Sequence, residues 1–172
     1  MSAQSVAAPR LYPTKNDLPL DVRAQVAELL NSRLADCIDL QSQSKQAHWN
    51  VKGPQFIALH KLFDEINEAV EGYVDLIAER IVQLGGIAAG TARVVAERSE
   101  LDEYPLDIAS GVDHVKALSG ALAAFGTRIR RAADEIDDLG DADTVDLCTE
   151  VSRGIDQWLW FVEAHLQDGG SK

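Results

Sequence analysis

The sequence predicts an all-α fold, a four-helix bundle with one long crossover between its second and third helices. Two observations carry this. The five prolines stand at positions 9, 13, 19, 54 and 105, which leaves 20–53, 55–104 and 106–172 free of them. Proline lacks a backbone donor and clashes inside a helix, so the proline-free stretches are where long helices can form. Each stretch also repeats its apolar residues every three or four positions, and no alternating strand pattern competes.

The first helix is expected over about residues 20–51, with Val22, Val26, Leu29, Leu30, Leu34, Cys37, Ile38 and Leu40 on its core face. Gly53 and Pro54 end it and open the next helix, where proline suits the first turn. The second helix should run over residues 55–84, about 45 Å at 1.5 Å per residue. Its stripe is Leu59, Leu62, Phe63, Ile66, Val70, Tyr73, Val74, Ile77, Ile81 and Leu84, and Gly85-Gly86 stops it. Residues 85–110 form the crossover, with room for a short extra helix at 91–98 and an extended Tyr104-Pro105 step. The third helix starts with Ser110 and Asp113 at capping-box spacing. It continues through Val115, Leu118, Leu122, Phe125, Ile129 and Ile136 to about position 138. The fourth follows Gly140, with Asp143 as its expected cap and Val145, Cys148, Val151, Ile155, Leu159, Val162 and Leu166 on the core face. Four long helices with one long link form a bundle of ferritin-like type. The domain is expected over 17–167, with flexible tails at 1–16 and 168–172.

Composition narrows the function classes. The chain has 172 residues, with 26% charged and 46% hydrophobic. These are ordinary globular values and exclude collagen-like or disordered character. Sixteen basic against 28 acidic residues give a net charge of −12. That balance argues against a broad basic groove for nucleic acid and suits an acidic, cation-attracting surface. Two cysteines are too few for a secreted disulfide framework. No apolar run is long enough to span a membrane, and the N-terminus lacks a leader-like apolar core, so a cytoplasmic location is expected.

The second helix carries a second face. On a helical wheel, His60, Asp64, Glu68, Glu71, Asp75 and Glu79 fall within about 100° of one another, away from the core stripe. A solvated face is the plain alternative. Against it, the acids have no lysine partner on the wheel, so like charges repel at four-residue spacing. Small residues (Ala69, Gly72, Ala78) also leave room for another helix. His60/Asp64 and Asp75/Glu79 repeat one spacing that lets two side chains converge on an ion. The two pairs cannot share an ion within one chain, because Asp64 and Asp75 are about 16 Å apart along the axis and a metal–ligand bond is about 2 Å. Two chains packed antiparallel about a two-fold axis near positions 69–70 would place each pair opposite its counterpart. This would make two equivalent sites roughly 22 Å apart. His48 lies five residues before the turn at Gly53 and His60 seven after it, so the two imidazoles can meet at similar height. Two imidazoles and three carboxylates suit Fe(II), Mn(II) or Zn(II) rather than a thiolate-loving metal. A di-iron site inside one bundle would need Glu-x-x-His, which occurs nowhere in the chain.

The stretch KQAHWNVKGPQFIALHKLFDEINEAVEGYVDLIAERIVQLGG at 45–86 closely resembles the Dps family, the miniferritins or DNA-binding proteins from starved cells. The resemblance extends through YPLDI at 104–108 to LWFVEAHL at 159–166. All five of that family's metal ligands have counterparts here: His48, His60, Asp64, Asp75 and Glu79. The resemblance implies a hollow homododecamer built from two-fold dimers. It further implies a ferroxidase with two irons per shared site, which oxidises Fe(II) preferably with hydrogen peroxide, stores ferric oxide inside and protects DNA. Trp49 resembles the family's aromatic residue beside the site. Asp143 and Asp146, within an acidic run at 135–146, are the expected lining of a three-fold iron-entry pore. The family's DNA-binding members often carry a lysine-rich tail, whereas residues 1–20 here hold only Arg10 and Lys15. Weak DNA binding is therefore expected, with the cluster Arg128, Arg130 and Arg131 as a second basic candidate. The rival from another class is a non-enzymatic nucleoid-compacting protein. His114 and His165 are expected at the surface or an interface, and Cys37 and Cys148 as small apolar core fillers.

Overall fold

The computed structural model describes residues 11–167. Its helices are α1 (Leu20–Asn50), α2 (Phe56–Gln83), α3 (Ala92–Arg98), α4 (Gly111–Leu139) and α5 (Ala142–Glu163). No strand occurs among the described residues; the only sheet-like pairing is an isolated parallel bridge between Lys52 and Ser110. α1 packs along α2, α4 packs along α5, and α1 also lies against α4, while α2 meets α5 only sparingly. The short α3 sits on α1, inside the crossover that joins α2 to α4. The four-helix bundle with its extra crossover helix is thus the fold that the periodicity predicts.

The core is built from the expected stripes. Val26, Leu30, Leu34, Cys37 and Leu40 of α1 face Phe63, Ile66, Val70, Ile77 and Ile81 of α2 in one apolar cluster. Leu118, Leu122, Phe125, Ile129 and Ile136 of α4 join it, with Cys148, Val151, Ile155 and Val162 of α5. Both cysteines are buried and free, and burial pushes their thiols up, that of Cys148 to about 12. They serve as apolar filler. Leu166 departs from expectation: α5 ends at Glu163, so this leucine leaves the core face and is exposed.

Helix ends follow side-chain chemistry. Ser110 caps α4 by accepting from the Asp113 amide, and its hydroxyl donates to the Asp113 carboxylate. The cap of α5 is Asp141, not Asp143: the Asp141 carboxylate accepts from the Thr144 amide. Asp143 falls within the first turn, exposed. Gly85 follows α2 at φ +88°, where a β-carbon would lie 2.5 Å from the Tyr12 carbonyl oxygen. The same close approach lets the Tyr12 amide donate to the Gly85 carbonyl at 2.7 Å. Tyr12 of the expected N-terminal tail therefore lies against the end of α2. Residues 1–10 and the expected tail at 168–172 lie outside the described residues.

Candidate metal centre

The antiparallel packing of α1 on α2 across the 51–55 turn brings His48 and His60 together. Their rings stack with centroids 3.7 Å apart and planes 22° from parallel. The His48 Nδ1–H donates to the His60 carbonyl at 2.7 Å, and the His60 Nδ1–H donates to the His48 carbonyl at 2.8 Å. A carbonyl only accepts, so both Nδ1 atoms must carry hydrogen. In each neutral ring this leaves the Nε2 lone pair available. An imidazole anchored through one nitrogen to a carbonyl, with the other left to a metal, is the usual outer support of a metal ligand. The Phe56 ring tilts against His60 at 5.1 Å and walls the pair on one side.

Asp64, one turn after His60, joins this pair: its carboxylate lies 3.8 Å from the His48 Nδ1. It also meets a partner that the wheel did not supply. Lys45, one turn before Trp49 on α1, reaches across and pairs with Asp64. The Lys45 ammonium holds the Asp64 carboxyl below the usual carboxylate range, helped by the two imidazoles. The pairing runs between helices, and a single-helix wheel cannot show it.

Asp75 and Glu79 lie further along α2, exposed, and the chain does not bring them to His48, His60 and Asp64. No group of three or more His, Cys, Asp or Glu side chains is placed to hold a metal ion within one chain, among the described residues. Gly72 is exposed, with open space where a side chain would stand. Val70 points into the bundle's own core, so a neighbouring helix would approach through Ala69 and Gly72 rather than Val70.

Other sequence candidates sort as follows. Trp49 is exposed beside His48. Asp143 and Asp146 are exposed on the first turns of α5. Asp141, from the same acidic run, is buried and serves the fold. It accepts from the Arg80 guanidinium at 2.8 Å and from the Thr144 hydroxyl, while the Arg80 Nε donates to that hydroxyl at 2.7 Å. Arg80, next to the candidate ligand Glu79, thereby ties the end of α2 to the start of α5. The basic cluster of α4 is mostly committed within the chain. Arg128 pairs with Glu100, Arg130 pairs with Asp156, and Arg131 is exposed. His165 is exposed as expected, but His114 is buried at 1% exposure. It stands one turn before Leu118 on the core stripe, and the Tyr104 hydroxyl bonds its Nδ1 at 2.8 Å.

Comparison with known proteins agrees with this architecture. A family model described as a ferritin-like domain matches residues 27–170. The DNA protection during starvation protein of Agrobacterium fabrum is 45% identical over 159 residues, covering 92% of this chain and 98% of that protein. The protein of the same name from Mycolicibacterium smegmatis is 33% identical, covering 87% and 81%. Among solved structures, DpsA14 from Streptomyces coelicolor superposes with a TM-score of 0.89 at 32% identity, covering 96% of this chain and 98% of that one. No helix of the described residues is long and apolar enough to cross a membrane. The chain belongs to the ferritin-like family, among the Dps proteins.

Proposed function

We propose that this protein is a ferroxidase and iron store whose oxidation sites are shared between two-fold-related subunits of a dodecameric shell. The observation that carries the reading is the stacked His48/His60 pair, each ring held by the other's carbonyl and each with a free Nε2. These two keep one nitrogen apiece for an outside partner. Asp64 adds a carboxylate, and the exposed Asp75 and Glu79 of a second subunit complete a set of two nitrogens and three carboxylates. That set suits ferrous iron, here the substrate, and its carboxylates favour the ferric product.

Two irons bound side by side can deliver two electrons to one hydrogen peroxide in a single encounter. The O–O bond then breaks without releasing a hydroxyl radical, and DNA is protected by the removal of both reagents. His48 and His60 would hold the metals, Asp64 would bring charge from the same subunit, and Asp75 and Glu79 would close the site from the other. The ferric product would be stored inside the shell, with Asp143 and Asp146 drawing cations to its three-fold entries. A cytoplasmic, nucleoid-associated location fits this role. The test is stoichiometry. Ferrous iron titrated with peroxide should be consumed at about two irons per peroxide with a silent hydroxyl-radical spin trap, as expected for paired metals. One iron per peroxide with abundant spin adduct would overturn the reading.

The rival is nucleoid compaction without iron chemistry. The structure favours it less, because Arg128 and Arg130 are occupied by carboxylates of the same chain.

A further inference from the structure

Tyr104 and His114 form a buried phenol–imidazole pair that the iron site does not use. Tyr104 stands in the crossover just before Pro105, and His114 lies in the first turn of α4. They are 7% and 1% exposed. The Tyr104 hydroxyl and the His114 Nδ1 are 2.8 Å apart. Among the described residues the phenol O–H has no acceptor but this ring, so it donates to Nδ1 and the ring's own proton sits on Nε2, which is buried without a hydrogen-bond partner. Nδ1 is then a bare base facing the phenolic O–H. Burial disfavours the imidazolium and pushes the phenol up. Losing a proton alone would leave a buried phenolate, and losing an electron alone would leave a buried cation. Both are costly in an apolar setting. Moving the electron out while the proton crosses to Nδ1 leaves the tyrosyl neutral and places the charge on an imidazolium, a far weaker acid than a phenol radical cation.

Tyr104 also borders the neighbourhood of the candidate metal centre. It lines a cavity of about 600 Å³ together with Lys45, Gln46 and Trp49. Lys45 is the residue whose ammonium contacts Asp64. Tyr12 and Tyr73 are placed differently: Tyr12 is half exposed at the end of α2, and Tyr73 packs on α5 beside Gly154 and Trp158.

We propose that Tyr104 is a one-electron donor that intercepts radicals escaping the iron site, with His114 taking up its proton. The oxidant is a hydroxyl-type radical formed when peroxide meets a single ferrous ion. The phenolic O–H bond breaks, its electron reduces the radical to hydroxide, and its proton forms an N–H bond at the His114 Nδ1. A neutral tyrosyl radical and an imidazolium remain. A second ferrous ion resets the pair: it gives one electron and becomes ferric, and the proton returns from Nδ1 to the phenol oxygen. The oxidant rests on the iron chemistry proposed above; the pair's geometry does not.

The test uses the assembled protein in two arms. In the first, the iron-free protein is oxidised by flash-generated tris(bipyridine)ruthenium(III) and frozen for electron paramagnetic resonance. A tyrosyl signal with a hydrogen-bonded g-tensor is expected. It should be lost in Tyr104→Phe and retained in the double variant Tyr12→Phe/Tyr73→Phe. It should also be lost in His114→Gln, whose amide can accept the phenol's hydrogen bond but cannot take its proton. A signal that survives Tyr104→Phe, vanishes in the double variant or ignores His114→Gln overturns the proposal. The second arm replaces the flash with ferrous iron and peroxide. Spin adducts should rise when Tyr104 becomes phenylalanine; equal adducts in both proteins overturn the interception role. Failure of the iron reading shows separately, as the absence of site-dependent iron oxidation.

Discussion

At Lys45 the structure adds a competitor for the cation that Asp64 is proposed to bind. Replacing Lys45 with methionine keeps the aliphatic stem and removes the ammonium. Divalent-metal affinity, read by calorimetry with Zn(II) at neutral pH, should rise several-fold in Lys45→Met. The pH dependence should change too. Lys45 holds the Asp64 carboxyl low, so removing it returns that carboxyl toward its ordinary range. Binding should then begin to fail at a higher pH as acid is added. His114 gives a second prediction, with the opposite chemistry. Burial holds its imidazole below the usual histidine value, so the unfolded chain takes up a proton from solvent more readily than the native chain does. Stability should fall as pH drops below about 6.5, by up to about 1.4 kcal/mol per pH unit for this one group. His114→Gln should flatten that part of the stability curve in denaturant titrations. Neither residue's role was equally legible. The place of His114 on the α4 stripe, four before Leu118, was readable, but a polar imidazole is not reliably a core residue. The Lys45–Asp64 pairing was not readable, because it depends on the rotation of α1 against α2.

At the scale of elements, the helices and their stripes follow from proline placement and 3.6-residue periodicity. The structure moves most of their ends by only a residue or so, but α5 stops at Glu163, short of Leu166. The other departures arise where a polar side chain sits on a core stripe. Arg80 lies between Ile77 and Leu84, a position the pattern assigns to an apolar residue, and Asp141 is the carboxylate that makes its burial tolerable. Reading Asp143 as the cap of α5 missed this, because the partner of Asp141 is 61 residues away. Asp141→Ala removes the ion-pair partner and the helix cap together. It should cost about 3–5 kcal/mol, the range for leaving a buried charge alone. Thermal unfolding should show a large drop in midpoint. A shift no larger than that of a surface substitution would mean that Arg80 finds another partner or water.

At the scale of the whole molecule, charge decides how the protein meets DNA. Each chain carries −12, and duplex DNA carries one negative charge per about 1.7 Å. Two of the three arginines on α4 are neutralised within the chain, and the 28 acidic residues outnumber the 16 basic ones that could face phosphate. DNA retardation should be weak at physiological salt, should strengthen at lower pH or with divalent cations, and should weaken on deleting residues 1–10. Tight binding that survives the deletion would instead assign the contact to Arg131 and its neighbours on the surface.

The same scale holds the central claim, that each oxidation site is built by two subunits. Half of it was legible in the sequence, since the spacing of Asp64 and Asp75 forbids a shared ion within one chain. The chain's own geometry keeps the halves apart as well. The most direct measurement is complementation. The double variants His60→Ala/Asp64→Ala and Asp75→Ala/Glu79→Ala are each assembled alone, then dissociated and reassembled together, and iron oxidation is followed optically. Each alone should be inactive while still assembled. The mixture should regain activity, because a mixed dimer rebuilds one intact site from the two unmutated halves. Mixed assemblies that stay inactive, despite verified mixed dimers, would contradict the shared site.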